Sequence, residues 1–321
     1  EQGYNVLIVD NLSNSSVDVL DGIEAITGRK PDFENLDCSD YVNMDRLFLR
    51  YPDIVAVIHF AASKAVNESV MHPLQYYRNN ITSLLTVLEL MHNYGVRNLV
   101  FSSSCTVYGQ PNTKHLPFDE TAPIQKALSP YGNTKQINED IISDQAHACP
   151  ELQATILRYF NPIGAHPSAL IGELPNGVPQ NLLPYVTQTA AGLREKLSVY
   201  GNDYNTPDGS CIRDYIYVYD LAKAHVKAVE RMLNGTPEEQ IEIFNLGTGR
   251  GVSVLELINT FIKATGVKIP YEIVGRREGD IEQVWANPEK ANRILGWTAS
   301  TPLEQVLLSA WNWEKNLRHI N

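Results

Sequence analysis

Cysteine is scarce, with four residues in 321: Cys38, Cys105, Cys149 and Cys211. They are widely spaced, form no C-x-x-C and stand beside no histidine cluster. No disulfide framework, redox pair or metal site is therefore expected. Free thiols suit a reducing cytoplasm, which is the expected location. Basic charge is short too: 26 Lys and Arg stand against 37 Asp and Glu, a net charge of −11. That deficit argues against the basic footprint of a nucleic-acid binder. It leaves room for a phosphorylated ligand, which a local arginine or a helix N-terminus can hold. No apolar run approaches the roughly 18 residues of a membrane helix, so no membrane partner is expected. Internal repeats and low-complexity tracts are absent. Hydrophobic residues at 43% and charged residues at 20% are ordinary for a globular enzyme with a real core.

What is present alternates. Runs at 5–10, 54–60, 98–104 and 154–159 read as apolar, β-branched strands. Stretches at 40–51, 74–94 and 130–148 read as helices, with Gly95 and Pro150 as stop signals. Continuous apolar strands between helices predict a doubly wound, Rossmann-like parallel sheet, the α/β class. After Asn161 the chain turns rich in Pro, Gly and Asn. We expect a dinucleotide-binding domain over 1–160 and a smaller α/β substrate region over 161–321, with parts of 210–250 returning to the first. Later strands are read at Ser210–Val218, Ile241–Leu246 and Ile269–Val274, and helices at Leu255–Thr265 and Pro302–Lys315.

In a dinucleotide fold the glycine loop follows the first strand, and a ribose-binding acid lies about 20 residues on. Asp10 has that acid's character but comes too early. The expectation is that the first strand, the glycine loop and most of the first helix precede this sequence, which would weaken cofactor retention. Gly247-Thr248-Gly249-Arg250-Gly251 lies too late for that loop and reads as a structural turn or a contact to a second ligand.

Ser129-Pro130-Tyr131-Gly132-Asn133-Thr134-Lys135 carries the chemistry. Tyr131 and Lys135, at i and i+4, share a helix face. A phenol acting as a base at neutral pH must titrate about three pH units lower than usual, about 4 kcal/mol, and an adjacent ammonium favours that. Upstream, a strand runs into Ser102-Ser103-Ser104-Cys105-Thr106-Val107-Tyr108-Gly109. A hydroxyl at a parallel strand's carboxyl end sits where such sheets place ligands, although a plain turn would look the same.

These segments, with His59-Phe60-Ala61-Ala62-Ser63-Lys64, Tyr76-Tyr77-Arg78-Asn79-Asn80, Arg158-Tyr159-Phe160-Asn161-Pro162 and Cys211-Ile212-Arg213-Asp214-Tyr215, occur in an order that resembles the extended short-chain dehydrogenase/reductase family. The resemblance runs nearly the whole length and points to its sugar-nucleotide 4-epimerases. It implies a catalytic set of Tyr131, Lys135 and Ser104, all three also touching NAD. It implies Asp10 and Asn11 on the adenosine ribose with Leu12 and Ser15 nearby, and Asp37 and Cys38 at the adenine. Phe60, Ala61, Ala62, Lys64 and Asn79 would line the middle of the cofactor, and Tyr159 and Phe160 the nicotinamide. Phe60 and Phe160 would equally serve as core packing.

For a UDP-hexose substrate the resemblance implies Asn161, Asn181, Leu182, Val199 and Tyr200. Arg213 and Arg277 would meet the diphosphate, where guanidinium forks suit phosphate oxygens, and Asp280 the uridine ribose. Arg213 beside Asp214 could instead be a local ion pair. Val284, small where some relatives carry tyrosine, implies room for an N-acetylated hexosamine. The implied reaction interconverts UDP-glucose and UDP-galactose through a 4-keto sugar that turns over before the hydride returns. A homodimer is implied. The rival readings are a dehydratase or decarboxylase of the same family, or a non-catalytic dinucleotide sensor. Cys105 and Thr106 after Ser104 supply no acid for elimination.

Overall fold

The computed structural model describes residues 1–109, 115–277 and 280–320. Strand β1 (Leu7–Val9) leads through helix α1 (Val19–Thr27) to β2 (Asp32–Glu34), which pairs with β1 in parallel. Helix α2 (Tyr41–Arg50) precedes β3 (Ala56–His59), and α3 (Val66–Met71) and α4 (Pro73–Asn93) precede β4 (Asn98–Ser104). A 3₁₀ turn at Cys105–Tyr108 and helix α5 (Pro130–Ala148) lead to β5 (Gln153–Tyr159). The strands β3, β4 and β5 lie side by side in parallel.

Local chemistry explains the bounds of the central elements. Helix α4 opens on Pro73 and is followed by Gly95 at φ +70°, a turn that a glycine adopts at little cost. Helix α5 opens on Pro130, with the Ser129 hydroxyl accepting from the Gly132 N–H at 3.1 Å. On β4, Leu99 and Phe101 face one layer, packing with Leu84, Met91, Ile142 and Ile156. Val100 faces the other layer, among Leu157, Leu221, Ala224 and Phe244. Burial of each such side chain is worth about 1.5–3 kcal/mol, so a sheet covered on both faces supplies its own rigid platform.

Beyond β5 the chain becomes interrupted: β6 (Asn161–Ile163), α6 (Leu182–Ala190), β7 (Leu197–Tyr200), β8 (Ile212–Arg213) and β9 (Tyr215–Tyr217). Helix α7 (Val218–Leu233) then carries the chain back to β10 (Ile241–Leu246), which joins the main sheet beside β5 in the order β10-β5-β4-β3. After β11 (Val252–Ser253) come α8 (Val254–Thr265), β12 (Tyr271–Val274), β13 (Gln283–Val284) and α9 (Leu303–Arg318). Helices α6, α8 and α9 close a second core around Val186, Phe261, Leu307 and Trp311.

The single strand expected over Ser210–Val218 is a correction. It divides into β8 and β9, and Val218 begins α7. Asp214 causes the break. Fully buried, its carboxylate accepts from the backbone N–H groups of Thr248, Gly249 and Ala286. The chain therefore changes partner at Asp214, with β8 pairing β11 and β13 while β9 pairs β6. Leu221, Ala224, His225, Ala228 and Met232 then follow a helical period. The same bonds identify Gly247-Thr248-Gly249 as a structural turn. A Cβ on Gly247 would lie 2.3 Å from Asp214 Oδ2.

Candidate active site

Several of the residues singled out above stand at the carboxyl ends of parallel strands, where α/β sheets bind ligands. Asp10 follows β1, Phe60 follows β3, Ser104 ends β4 and Tyr159 ends β5. Tyr131 sits in the first turn of α5, and Gly132 lets that turn close on the β4 end: a Cβ there would be 3.3 Å from Thr106. Ser104 is 7% exposed, and its Oγ accepts from the Thr106 N–H at 3.2 Å.

Lys135 is 3% exposed. Its Nζ donates to the Ser102 carbonyl at 2.6 Å, lies 4.9 Å from the centre of the Phe101 ring and 5.9 Å from that of Tyr131. The ammonium thus lies beside the phenol ring with no hydrogen bond to its hydroxyl among the described residues. Burial lowers the Lys135 pKa to about 8, against the opposing pull of Glu139. Burial raises that of Tyr131 above its ordinary value, Tyr159 adds to the rise, and a hydrogen bond from Ser104 opposes it. The adjacent ammonium alone therefore does not produce the lowered phenol expected from the sequence, and a further positive group must supply the rest.

The adenosine candidates form one polar cluster. Asp10 Oδ1 accepts from the Leu12 N–H at 2.7 Å and the Ser15 hydroxyl at 2.8 Å. That bond holds Leu12 at φ +56°, where a branched residue is strained. Asn11 donates to Asp37 at 3.0 Å, and burial raises the Cys38 thiol to about 11, with Asp37 and Asp10 adding to the rise. Ala61 and Ala62 are half-buried, and Ser83 donates to the Ala61 carbonyl at 3.3 Å. Asn79 donates to the Ser63 hydroxyl at 3.1 Å. Exposed Lys64 lies 3.7 Å from Glu173, which also accepts from Asn181 at 2.6 Å, next to Leu182 at the start of α6.

On the substrate side, half-buried Asn161 donates its N–H to the Asp214 carbonyl at 3.0 Å. Val199 is buried and Tyr200 is 44% exposed. Arg277 covers the Tyr200 ring at 5.3 Å. Arg213 and Arg277 converge on Asp280 Oδ1, at 3.5 and 2.9 Å. Two guanidinium groups against one carboxylate leave a net positive charge. Arg213 pairs with Asp280, so the local ion pair with Asp214 is not formed. Val284 is buried beside Phe118 and Phe160 and pairs with Arg213 across the β13–β8 ladder. Phe160 is thus core, whereas Phe60 is 55% exposed over His225.

With this geometry in hand, the relatives are informative. The family described as GDP-mannose 4,6 dehydratase matches residues 1–309. The UDP-glucose 4-epimerase of Bacillus subtilis (strain 168) is 49% identical over 314 residues, 98% of this chain and 91% of that one. The chain belongs to the UDP-glucose 4-epimerase family. The crystal structure of UDP-glucose 4-epimerase from Bifidobacterium longum in complex with NAD+ and UDP superposes with a TM-score of 0.94 at 44% identity, covering 100% of this chain and 93% of that one. A UDP-Glc/GlcNAc 4-epimerase from Campylobacter jejuni gives 0.82 at 35% identity over 98% and 93%. Within a family whose description is that of a dehydratase, Cys105 and Thr106 after Ser104 keep this site free of an eliminating acid at that spot.

The residues fit NAD. Asp10 Oδ1 is spent on Leu12 and Ser15, while Oδ2 has no partner among the described residues and would be free to accept from a ribose hydroxyl. Thr106 Oγ1 is buried without a partner in the turn after Ser104. Sequence reasoning gave no individual role to His59, His225 or Glu139, and read Thr106 only as a residue that is not an acid. Glu139 was findable, standing one helical turn beyond Lys135 on the same face.

His59 and His225 flank this edge, each with a buried Nε2 that lacks a partner. Burial lowers His59 to about 3, with Lys135 adding to the fall, and lowers His225 to about 4, against its bond to Leu221. Both titrate near 6.5 when unfolded, so on acidification below that point the unfolded chain takes protons that the folded one refuses. Stability should fall from about pH 6.5 to about pH 4, by up to about 1.4 kcal/mol per pH unit for each histidine. Urea unfolding across that range should show a shallower slope in His225→Asn. An unchanged slope would remove His225 from this account.

Proposed function

We propose that the protein is an NAD-dependent 4-epimerase interconverting UDP-glucose and UDP-galactose. The observation that carries this reading is the convergence of Ser104, Tyr131 and Lys135 at the carboxyl end of β4, with Cys105-Thr106 following in place of an acid. When bound, NAD supplies reversible oxidation at C4 of the hexose and adds a positive charge near Tyr131. Tyr131 takes the 4-hydroxyl proton and later returns it. Ser104 hydrogen-bonds the same oxygen, and Lys135 stabilises the phenolate through space. Asp10 favours NAD over a cofactor with a 2′-phosphate.

Arg213 and Arg277 meet the diphosphate, with Asp280 positioned between them for the uridine ribose and Tyr200 near the base. Asn161, Asn181 and Leu182 approach the sugar nucleotide, so that the anchored nucleotide leaves the 4-keto sugar free to turn over. The division into a cofactor domain over 1–160 and a substrate region over 161–321 is supported by the separate core of α6, α8 and α9. The return of 210–250 to the first domain is supported by β10 pairing β5. A cytoplasmic homodimer contacting through α4 and α5 completes the reading, supported by Leu74 and Leu85 standing exposed on α4.

Tyr131→Phe should lower turnover by at least about a thousandfold, within the range general-base removal produces, while UDP binding measured by calorimetry stays within a few-fold. Turnover near wild type would take the phenol out of the mechanism. Val284 is a small side chain where a tyrosine would be bulkier, and that supports acceptance of UDP-N-acetylhexosamines. Val284→Tyr should therefore cut turnover of UDP-N-acetylglucosamine about tenfold or more relative to UDP-glucose. Equal effects on the two substrates, or no wild-type turnover of the N-acetylated one, would refute that breadth.

A further inference from the structure

Behind the catalytic pair lies a second set of charges that the reaction as described does not use. Glu139 is 7% exposed and Arg158 3% exposed. Arg158 grips the carboxylate with two donors, Nε to Oε1 at 3.0 Å and Nη2 to Oε2. Ser103 donates to Oε1 from β4, the residue between the Lys135 acceptor Ser102 and the catalytic Ser104. Arg158 Nη1 donates to the Tyr108 hydroxyl at 3.2 Å, which in turn donates to Asn245 at 2.7 Å. A buried ion pair costs desolvation and is weak evidence for stability. Its place deserves a functional account: Glu139 is four residues beyond Lys135, so the two share one face of α5.

We propose that Glu139, clamped by Arg158, is a positioning residue that anchors the positive charge of Lys135 behind Tyr131. The inference rests on the epimerase reading and deepens it. The groups facing Lys135 make the case. From β4 come the Phe101 ring and the Ser102 carbonyl, from α5 the Tyr131 ring, and from β3 the buried His59. His59 is neutral at working pH because burial holds it down. Glu139 is the carboxylate that opposes the burial of the ammonium. Burial acts against the charge of Arg158 as well, but Glu139 more than offsets it, so the clamp stays ionised. The bidentate grip also fixes where that charge sits.

The test compares NAD-bound wild type with Glu139→Gln, Glu139→Asp and the double variant Glu139→Gln/Arg158→Met. In Glu139→Gln the alkaline limb of the kcat profile should move down by about one pH unit, because the nearby anion is lost while Arg158 stays. In the double variant both charges go, and the limb should fall between that of Glu139→Gln and that of wild type. Glu139→Asp should recover most of the wild-type limb. A second readout needs no turnover. Folded Lys135 titrates near 8 and the unfolded residue near 10.5. Stability rises with pH between those values, where the unfolded chain holds the proton and the folded one does not. Removing Glu139 should extend that rising slope to lower pH, and Lys135→Met should abolish the extension.

A limb and slope unmoved in Glu139→Gln would overturn the proposal and leave the pair a structural brace. Should Glu139→Gln fail to fold, the double variant, which leaves no unpaired buried charge, decides by the same two readouts. Absence of epimerisation by wild type would instead refute the parent reading.

Discussion

A buried ammonium is the constraint around which the active edge is arranged. Lys135 is almost wholly out of water, yet its use requires a positive charge. The protein meets that demand with a carbonyl at 2.6 Å, an aromatic face at 4.9 Å and a carboxylate one helical turn away. None of these partners comes from a loop. They come from β4 and α5, a strand and a helix that both pack into the main core, so the charge is held by the rigid part of the molecule. Rigid placement is what a through-space effect needs, since its strength depends on distance.

The second half of the site is built differently. Arg213, Arg277, Asp280 and Val284 lie on short strands and their connections. Asp214 joins these pieces by taking backbone donors from two separate segments, Thr248–Gly249 and Ala286. Arg213 and Arg277 therefore converge on Asp280 without belonging to the main sheet.

Much of this was legible beforehand, and the reasons are local. Helix α5 runs Pro130–Ala148 as read, because Ser129, Pro130 and the stop near Pro150 are signals within a few residues of the ends they set. Strand β4 likewise spans Asn98–Ser104 as read. The gathering of Tyr131, Lys135 and Ser104 followed from spacing together with the rule for parallel strand ends. Features that depend on distant partners were not legible. The pairing of Arg213 with Asp280 spans 67 residues, so the only protein partner weighed beside the diphosphate was the neighbour Asp214. The break of Ser210–Val218 depends on donors more than thirty residues downstream, and α7 was lost with it. The raised pKa of Tyr131 depends on how deeply the fold buries the phenol, which an i, i+4 motif does not encode.

The central claim is that oxidation and reduction occur on one sugar in one site, with no net exchange. The most direct measurement uses UDP-glucose deuterated at C4, with UDP-galactose analysed by mass spectrometry and NMR. The account predicts that the product keeps the deuterium at C4, in inverted configuration, and gains no hydrogen there from solvent. Replacement of the C4 deuterium by solvent hydrogen, or release of a deoxy-keto sugar, would contradict it.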